Sequence, residues 1–195
     1  MINPDIPVIL ASKSPRRREL LSDITTEFTV LVYEVDEELS SDIHPRDGVE
    51  LLAVRKGAAV AAGLSERHLV ISSDTLVELD DIALGKPSDA ADAHRMLRML
   101  SGRTHNVHTG VAVHYRGLVY SGVATTAVSF RALSDSEIDE YIATGEPMDK
   151  AGAYGIQGLG GALVSGYDGD FDTVVGLSRV LTRRLISEAL GGKND

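Results

Sequence analysis

The sequence predicts an α/β fold built around a mixed sheet, and three observations support this prediction. Short apolar runs typical of buried strands alternate along the chain with segments of helical periodicity. Two stretches, 75–87 and 104–131, place strand patterns side by side with only a turn between them, so part of the sheet must be antiparallel. No internal repeat and no Pro- or Ser-rich linker interrupts the 195 residues. We therefore expect one domain over residues 1–195.

The first 74 residues are expected to form three strands and two helices. Ser14 is a good N-cap and Pro15 suits the first helical position, so the first helix begins there. The apolar side of the second helix is expected to consist of Leu51, Leu52, Val54, Ala58 and Ala62. The expected strands are Val8–Ala11, Phe28–Val35 and Leu69–Ser72, the last ending at Ser73-Asp74, and the second helix is Pro45–Gly63.

The remainder of the chain is expected to begin with a hairpin that turns at Asp80-Asp81 and is closed by Gly85-Lys86-Pro87. A helix capped by Ser88 follows, and two or three strands lie within 104–131. The core face of that helix is expected to be Ala93, Met96, Leu97 and Leu100. Further helices are expected from Ser134 to Thr144 and from about Ser178 to Leu190.

Composition excludes several classes of function. A net charge of −10 argues against a broad surface for nucleic acid polymers, which needs clustered Lys and Arg. The chain has no cysteine, which excludes disulfides, thiolate catalysis and cysteine-based zinc sites. No apolar run approaches the roughly 20 residues that cross a bilayer, so no membrane partner is expected. The N-terminal residues lack the basic region of a signal peptide, and we expect a cytoplasmic protein.

Three consecutive arginines, Arg16, Arg17 and Arg18, stand where the first helix begins. A helix N-terminus already carries partial positive charge, so cations there are misplaced by roughly 0.3–1 kcal/mol each unless an anion compensates them. A solvated helix start is the alternative for any single one of these arginines. Because successive helical positions differ by about 100°, we expect two of them to face a ligand at the strand edge and Arg18 to lie at the surface.

Two carboxylates and two lysines complete the candidate set. Glu37 and Asp74 each end an expected strand, and together they form an oxygen set suited to Mg²⁺. Lys56 has no acidic partner on its own helix, and Lys86 lies in a tight Gly-Lys-Pro turn. Gln157, between glycines, could approach a flat ligand closely. The alternatives are a turn-forming Asp at position 74, a solvated acidic run around Glu37, a snorkelling side chain for Lys56 and a solvated side chain for Gln157.

Other polar groups offer weaker hypotheses. None of the six histidines has metal-ligand spacing, and we expect all of them to be structural or exposed. The stretch "YDGDFD" lacks the distal Glu of a calcium loop and is interpreted as a turn between strands. No histidine and acid mark a triad with Ser12 or Ser14, which disfavours nucleophilic hydrolysis.

Four motifs resemble the Maf family of nucleoside triphosphate pyrophosphatases, also described as septum-formation inhibitors. They are "LASKSPRRRELL", "SSDTLV", "LGKPSDAADAHRMLRMLSGRTHNVHTGVAV" and "MDKAGAYGIQGLGGALV", and the resemblance extends from about Val8 to the final helix. It implies a mixed α/β fold similar to the inosine triphosphate pyrophosphatases, with a deep cleft between two lobes, and a homodimer. It also implies hydrolysis of a nucleoside triphosphate between the α and β phosphates, with a divalent cation such as Mg²⁺, Mn²⁺ or Co²⁺.

Carried over motif by motif, the resemblance implies a role for each candidate residue. Asp74 corresponds to the proton acceptor, although its role as a base and its role as a metal ligand with Glu37 both stay open. The implied catalytic residues are Asp74, Glu37, Lys56 and Lys86, and the implied substrate-binding residues are Ser14, Arg16, Arg17, Thr75 and Gln157.

The implied substrate follows from three of these positions. Arg16, Thr75 and Gln157 resemble the branch of the family that acts on dTTP and UTP rather than on 7-methyl-GTP. Ser178 and Ser73 depart from the usual proline and small residue of the family, which affects local geometry only. A nucleotide-binding regulator of cell division, or an enzyme for another modified nucleotide, is the alternative.

Overall fold

The computed structural model describes residues 5–40 and 42–192, and within them seven strands form one mixed sheet. The strands are β1 (Val8–Leu10), β2 (Thr29–Val30), β3 (Leu69–Leu79), β4 (Ile82–Leu84), β5 (Thr104–Tyr115), β6 (Leu118–Phe130) and β7 (Val164–Asp168). Their order is β2-β1-β3-β5-β6-β7, with β4 paired to β3. β1 is parallel to β2 and β3, whereas β4 is antiparallel to β3 and β7 to β6. The predicted mixed α/β architecture is confirmed.

Six α-helices lie within the same residues: α1 (Pro15–Ser22), α2 (Pro45–Ala61), α3 (Ala90–Leu100), α4 (Asp135–Ala143), α5 (Phe171–Val175) and α6 (Arg179–Ala189). The side chains of Ser14, Ser134 and Ser178 each accept the backbone N–H three residues on, and the N-cap predicted at Ser14 is confirmed. Three short 3-10 helices cover Glu146–Asp149, Ala151–Ala153 and Leu159–Leu163. None of the described helices is long and apolar enough to cross a membrane.

Two hairpin turns explain why neighbouring strands fold back on themselves. Asp80 and Asp81 have φ angles of 54° and 63°, and Arg116 and Gly117 have 52° and 74°. Two successive residues with positive φ give a turn whose twist matches the flanking strands. The predicted turn at Asp80-Asp81 is confirmed.

The predicted strand boundaries in the first part of the chain were wrong in two places. The strand expected over Phe28–Val35 is reduced to β2, two residues long. β3, which was expected to end at Ser73-Asp74, runs for 11 residues from Leu69 to Leu79, so Asp74 lies inside a strand. How far β3 extends depends on pairing with strands that are distant in the sequence, and single-sequence patterns do not contain that information.

Smaller corrections concern the helices. The N-cap of α3 is Asp89 rather than Ser88. On α2 the buried residues include Val49, Leu52, Ala53 and Val60, whereas Leu51 is 39% exposed. The stretch "YDGDFD" connects β7 to α5 instead of two strands.

The chain divides into two compact units. The first comprises residues up to 74, 109–124 and 176 onwards, and the second comprises 75–108 and 125–175. A small core in the first unit contains Ile9, Ala11, Val60 and Val70. The core of the second unit packs the predicted face of α3 against Ile138 and Tyr141 of α4, Phe130 and Tyr154. The single domain over 1–195 and the deep cleft stay predictions.

Candidate active site

Arg17 is anchored inside the first unit by backbone carbonyls. Its Nε donates to the carbonyl oxygen of Gly176 at 2.9 Å and its Nη1 to that of Ser73 at 2.7 Å. Ser73 Oγ donates to the same Gly176 oxygen at 2.9 Å, so this serine reinforces the junction. The guanidinium therefore has a fixed direction at the start of α1, while Arg18 is exposed as expected.

Ser14 and Arg16 lie beside it. Ser14 Oγ accepts the backbone N–H of Arg17 at 3.4 Å, and Ser14 N–H donates to Ser12 Oγ at 3.2 Å. Arg16 is partly buried. The first turn of α1 therefore combines a capped N-terminus with two partly buried cations, an arrangement that attracts anions.

Lys56 connects the two candidate carboxylates. Its Nζ lies 2.5 Å from Asp74 Oδ1 and 3.0 Å from Glu37 Oε1. The Asp74 side chain is 12% exposed and that of Glu37 is 61% exposed, so the Asp74 carboxylate is mostly buried and the Glu37 carboxylate faces solvent. The acidic partners of Lys56, which its own helix α2 does not supply, therefore come from β3 and from the segment after β2.

Glu37 is positioned by Arg55, the residue before Lys56. Arg55 Nη1 donates to the carbonyl oxygens of Asp36 at 2.7 Å and Glu38 at 3.1 Å, on both sides of Glu37. Glu37 therefore belongs to an irregular segment held from α2, and the prediction that it ends a strand was wrong.

Close packing of α2 on the sheet brings Lys56 within reach of Asp74. A Cβ atom on Gly57 would lie 2.5 Å from Ser72 Oγ, and one on Gly110 of β5 would lie 2.7 Å from the carbonyl carbon of Val49. Both distances are shorter than real contacts allow, so only glycine permits this approach.

The charges of these groups act on each other. Burial lowers the pKa of Arg17, and Asp74 and Glu37 oppose that shift because their negative charges favour the guanidinium, whereas Arg16 adds to it. Arg17 is thus within electrostatic range of both carboxylates and of Arg16. The first unit brings together five of the predicted charged residues.

The second unit contains the remaining candidates. Lys86 is exposed in the loop after β4, where the carbonyl oxygen of the preceding Gly85 accepts the N–H of Gly152 at 3.0 Å. Thr75 follows Asp74 on β3 and, by strand alternation, points to the opposite face. Gln157 is exposed between two of the 3-10 helices.

A carboxylate that sequence reasoning missed organises the segment around Gln157. Glu146 accepts hydrogen bonds from Tyr141 Oη at 2.8 Å and from the N–H groups of Leu159 and Gly160, both at 3.0 Å. The glycine-rich composition of 155–161 was the signal available, because such a segment needs an external partner for its N–H groups.

Comparison with known proteins places the chain in a family. A family model described as Maf-like protein matches residues 7–189. A dTTP/UTP pyrophosphatase of Moorella thermoacetica is 50% identical over 182 residues, covering 92% of this chain and 93% of that protein. A dTTP/UTP pyrophosphatase of Vibrio cholerae serotype O1 is 48% identical over 179 residues, covering 92% and 96%. The chain belongs to the Maf-like family.

A solved structure supports the fold alone. The crystal structure of a Vibrio cholerae protein aligns with 96% of this chain and 98% of its own, at 11% identity and a TM-score of 0.50.

Proposed function

We propose that this protein hydrolyses dTTP and UTP between the α and β phosphates, giving the monophosphate and pyrophosphate. The observation that carries the proposal is the pairing of Glu37 and Asp74 through the Lys56 ammonium, beside the anchored Arg17. The names of relatives about half identical over more than nine tenths of the chain support the substrates.

The arginines bind the triphosphate. Arg17 cannot swing away, because two of its nitrogens are held by backbone carbonyls, and it therefore presents a preorganised positive charge to phosphate oxygens. Arg16 adds a second cation, and Ser14 holds the helix start. Charge that is fixed before the reaction costs no reorganisation as negative charge moves to the leaving pyrophosphate.

Asp74 accepts a proton from the attacking water. The water oxygen bonds to the α phosphorus, the bond from that phosphorus to the bridging oxygen breaks, and pyrophosphate leaves with the electron pair. The Lys56 ammonium holds the Asp74 carboxylate in place by donating to its Oδ1, and it offsets part of the substrate charge. The buried position of Asp74 keeps its orientation defined.

The donor set suits a divalent cation. Glu37 and Asp74 supply carboxylate oxygens, no more than about 5.5 Å apart because both contact one nitrogen, and Mg²⁺ takes one or two carboxylates plus phosphate oxygens. Among residues 5–40 and 42–192, no group of three or more acidic or histidine side chains forms an all-protein metal site. Glu37 and Asp74 would hold Mg²⁺, Mn²⁺ or Co²⁺, which neutralises phosphate charge when bound.

Further parts of the proposal rest on the family resemblance. Lys86 neutralises phosphate charge, and Arg16, Thr75 and Gln157 select the pyrimidine nucleotides. The protein acts in the cytoplasm as a homodimer, without a nucleic acid polymer or a membrane as partner.

The test is product analysis with Mg²⁺ or Mn²⁺ and a panel of dTTP, UTP, CTP, GTP, ATP and 7-methyl-GTP. Asp74→Asn should lower turnover by about 10²-fold or more, the usual size of an acid–base contribution. Asp168→Asn, at an exposed strand position, is the matched control and should keep wild-type turnover.

Each outcome has a defined meaning. Monophosphate and pyrophosphate from dTTP and UTP, lost in Asp74→Asn alone, support the proposal. Wild-type turnover in Asp74→Asn removes this residue from the chemistry, and nucleotide binding without any turnover favours the regulator of cell division instead.

A further inference from the structure

The glycine-rich segment 155–161 is held by one carboxylate and one phenol. Glu146 Oε1 accepts the N–H of Gly160 and Oε2 accepts that of Leu159, each at 3.0 Å. The phenol oxygen of Tyr141 donates to Glu146 Oε1 at 2.8 Å and accepts the N–H of Gly155 at 3.1 Å. Both ends of the stretch that contains Gln157 are therefore tied to the same pair of side chains.

Gln157 lies in a tight turn between the residues that Glu146 and Tyr141 hold by hydrogen bonds. The N–H of Gly158 donates to the carbonyl oxygen of Gly155 at 3.1 Å, which makes Ile156 and Gln157 the central residues of a four-residue turn. The turn leaves Gln157 exposed. Its backbone direction is set by contacts on either side rather than by its own side chain.

The segment lies close against the carboxylate and phenol. A Cβ on Gly158 would lie 2.6 Å from Glu146 Oε1, and one on Gly160 would lie 2.5 Å from the Tyr141 phenol oxygen. No side chain larger than hydrogen fits at either position without displacing these groups. The glycines are therefore required by Glu146 and Tyr141, and not only by turn geometry.

We propose that Glu146, together with Tyr141, is a positioning residue that fixes the turn carrying Gln157 and thereby sets the nucleotide preference of the enzyme. The inference rests on the proposed function, in which Gln157 helps to select pyrimidine nucleotides. Glu146 acts through backbone N–H groups and is assigned no contact with substrate.

The carboxylate is needed because its two oxygens accept different N–H groups. A glutamine has nearly the same shape but one acceptor oxygen, so an amide nitrogen would face either Leu159 N–H or Gly160 N–H, donor against donor. A backbone N–H that loses a charged acceptor loses one of the stronger hydrogen bonds of a protein. Glu146→Gln should therefore loosen one side of the turn while preserving its packing.

The experiment compares Glu146→Gln with wild type and with Glu140→Gln, an exposed position on the preceding helix. The kcat and KM are measured for dTTP, UTP and CTP, and hydrogen exchange is followed at the N–H groups of Leu159 and Gly160. Glu146→Gln should raise KM for dTTP and UTP about tenfold, lower their preference over CTP similarly, and speed exchange at 159 or 160 about tenfold, with kcat within about threefold of wild type.

A second variant covers the case in which Glu146→Gln does not fold. Tyr141→Phe removes only the phenol oxygen, so the Gly155 N–H loses its acceptor, and the preference should shift in the same direction by a smaller factor. Glu140→Gln should match wild type in every measurement.

The outcomes separate the inference from the proposed function. If Glu146→Gln folds and keeps the wild-type nucleotide preference and the wild-type hydrogen exchange at 159 and 160, the inference is overturned. The proposed function still stands in that case, provided that the wild type hydrolyses dTTP. A uniform fall in kcat for all nucleotides with KM unchanged also overturns it, because that pattern indicates a general structural defect. A wild type that hydrolyses no nucleotide overturns both.

Discussion

Substituting Gly110 by alanine tests whether the close approach of α2 to the sheet positions Lys56. The added Cβ at this position would lie 2.7 Å from the carbonyl carbon of Val49 and 2.9 Å from the Cα of Glu50, both backbone atoms of α2. Backbone cannot rotate out of the way as a side chain can. The carbonyl oxygen of Val49 would lie closer still, so the helix must retreat by about 1 Å to reach ordinary contact distance.

The displacement has two measurable costs. Overpacking of this kind destabilises a protein by typically about 1–3 kcal/mol. For a chain of this size that corresponds to a melting temperature lower by roughly 3–10 °C. Lys56 lies seven residues further along α2, about 10 Å from Val49, so the same retreat lengthens the 2.5 Å contact between Lys56 Nζ and Asp74 Oδ1. Misplacement of this order can lower turnover by about 10²-fold.

The assays are thermal unfolding followed by circular dichroism and turnover of dTTP well below the melting temperature. Gly166→Ala is the matched control, since a Cβ there meets nothing within 4 Å, and it should change neither quantity beyond error. Wild-type stability and turnover in Gly110→Ala would refute the reasoning, because a Cβ atom at position 110 would then fit against α2 without displacing it.

Two further predictions concern stability in the second unit. Burial lowers the pKa of His105 from its ordinary 6.5 to about 4, so the unfolded chain binds more protons between these values, and His105 destabilises the fold by about 2 kcal/mol as pH falls from 7.5 to 5. The free energy of unfolding measured with urea should fall less steeply between pH 7.5 and 5 in His105→Phe than in wild type. Equal slopes would contradict the lowered pKa of His105. Ser134→Ala removes the capping box with Glu137 and should cost about 1 kcal/mol, whereas Ser136→Ala in the same helix should cost little; equal losses in the two would show that the cap is not the cause.

Features with a local cause were predictable from the sequence. The caps at Ser14, Ser134 and Ser178 form within three or four residues, and the turn at Asp80-Asp81 needs only two residues that tolerate positive φ. The buried stripe of α3 follows from helical periodicity. These features are decided by short-range sterics and hydrogen bonds, which a single sequence records directly.

Features that depend on a distant partner were not predictable. β3 continues through Asp74 because adjacent strands pair with it, and the strand after Phe28 shortens to two residues. The cap of α3 was missed for a local reason, since Ser88 and Asp89 are adjacent residues of similar capping preference and the helix uses Asp89.

The candidate site shows the same division. The sequence by itself determined which chemistry is available: cations at a helix start, two carboxylates, two lysines and a glycine-rich segment, all within the residues that the Maf-like family model matches. Only the tertiary structure decided that Lys56 pairs with Asp74 and Glu37, and that Glu146 accepts the N–H groups beyond Gln157. Side-chain type is fixed by the sequence, but which charges and donors meet depends on how closely distant segments pack, and at Gly57 and Gly110 that closeness depends on the absence of a single carbon atom.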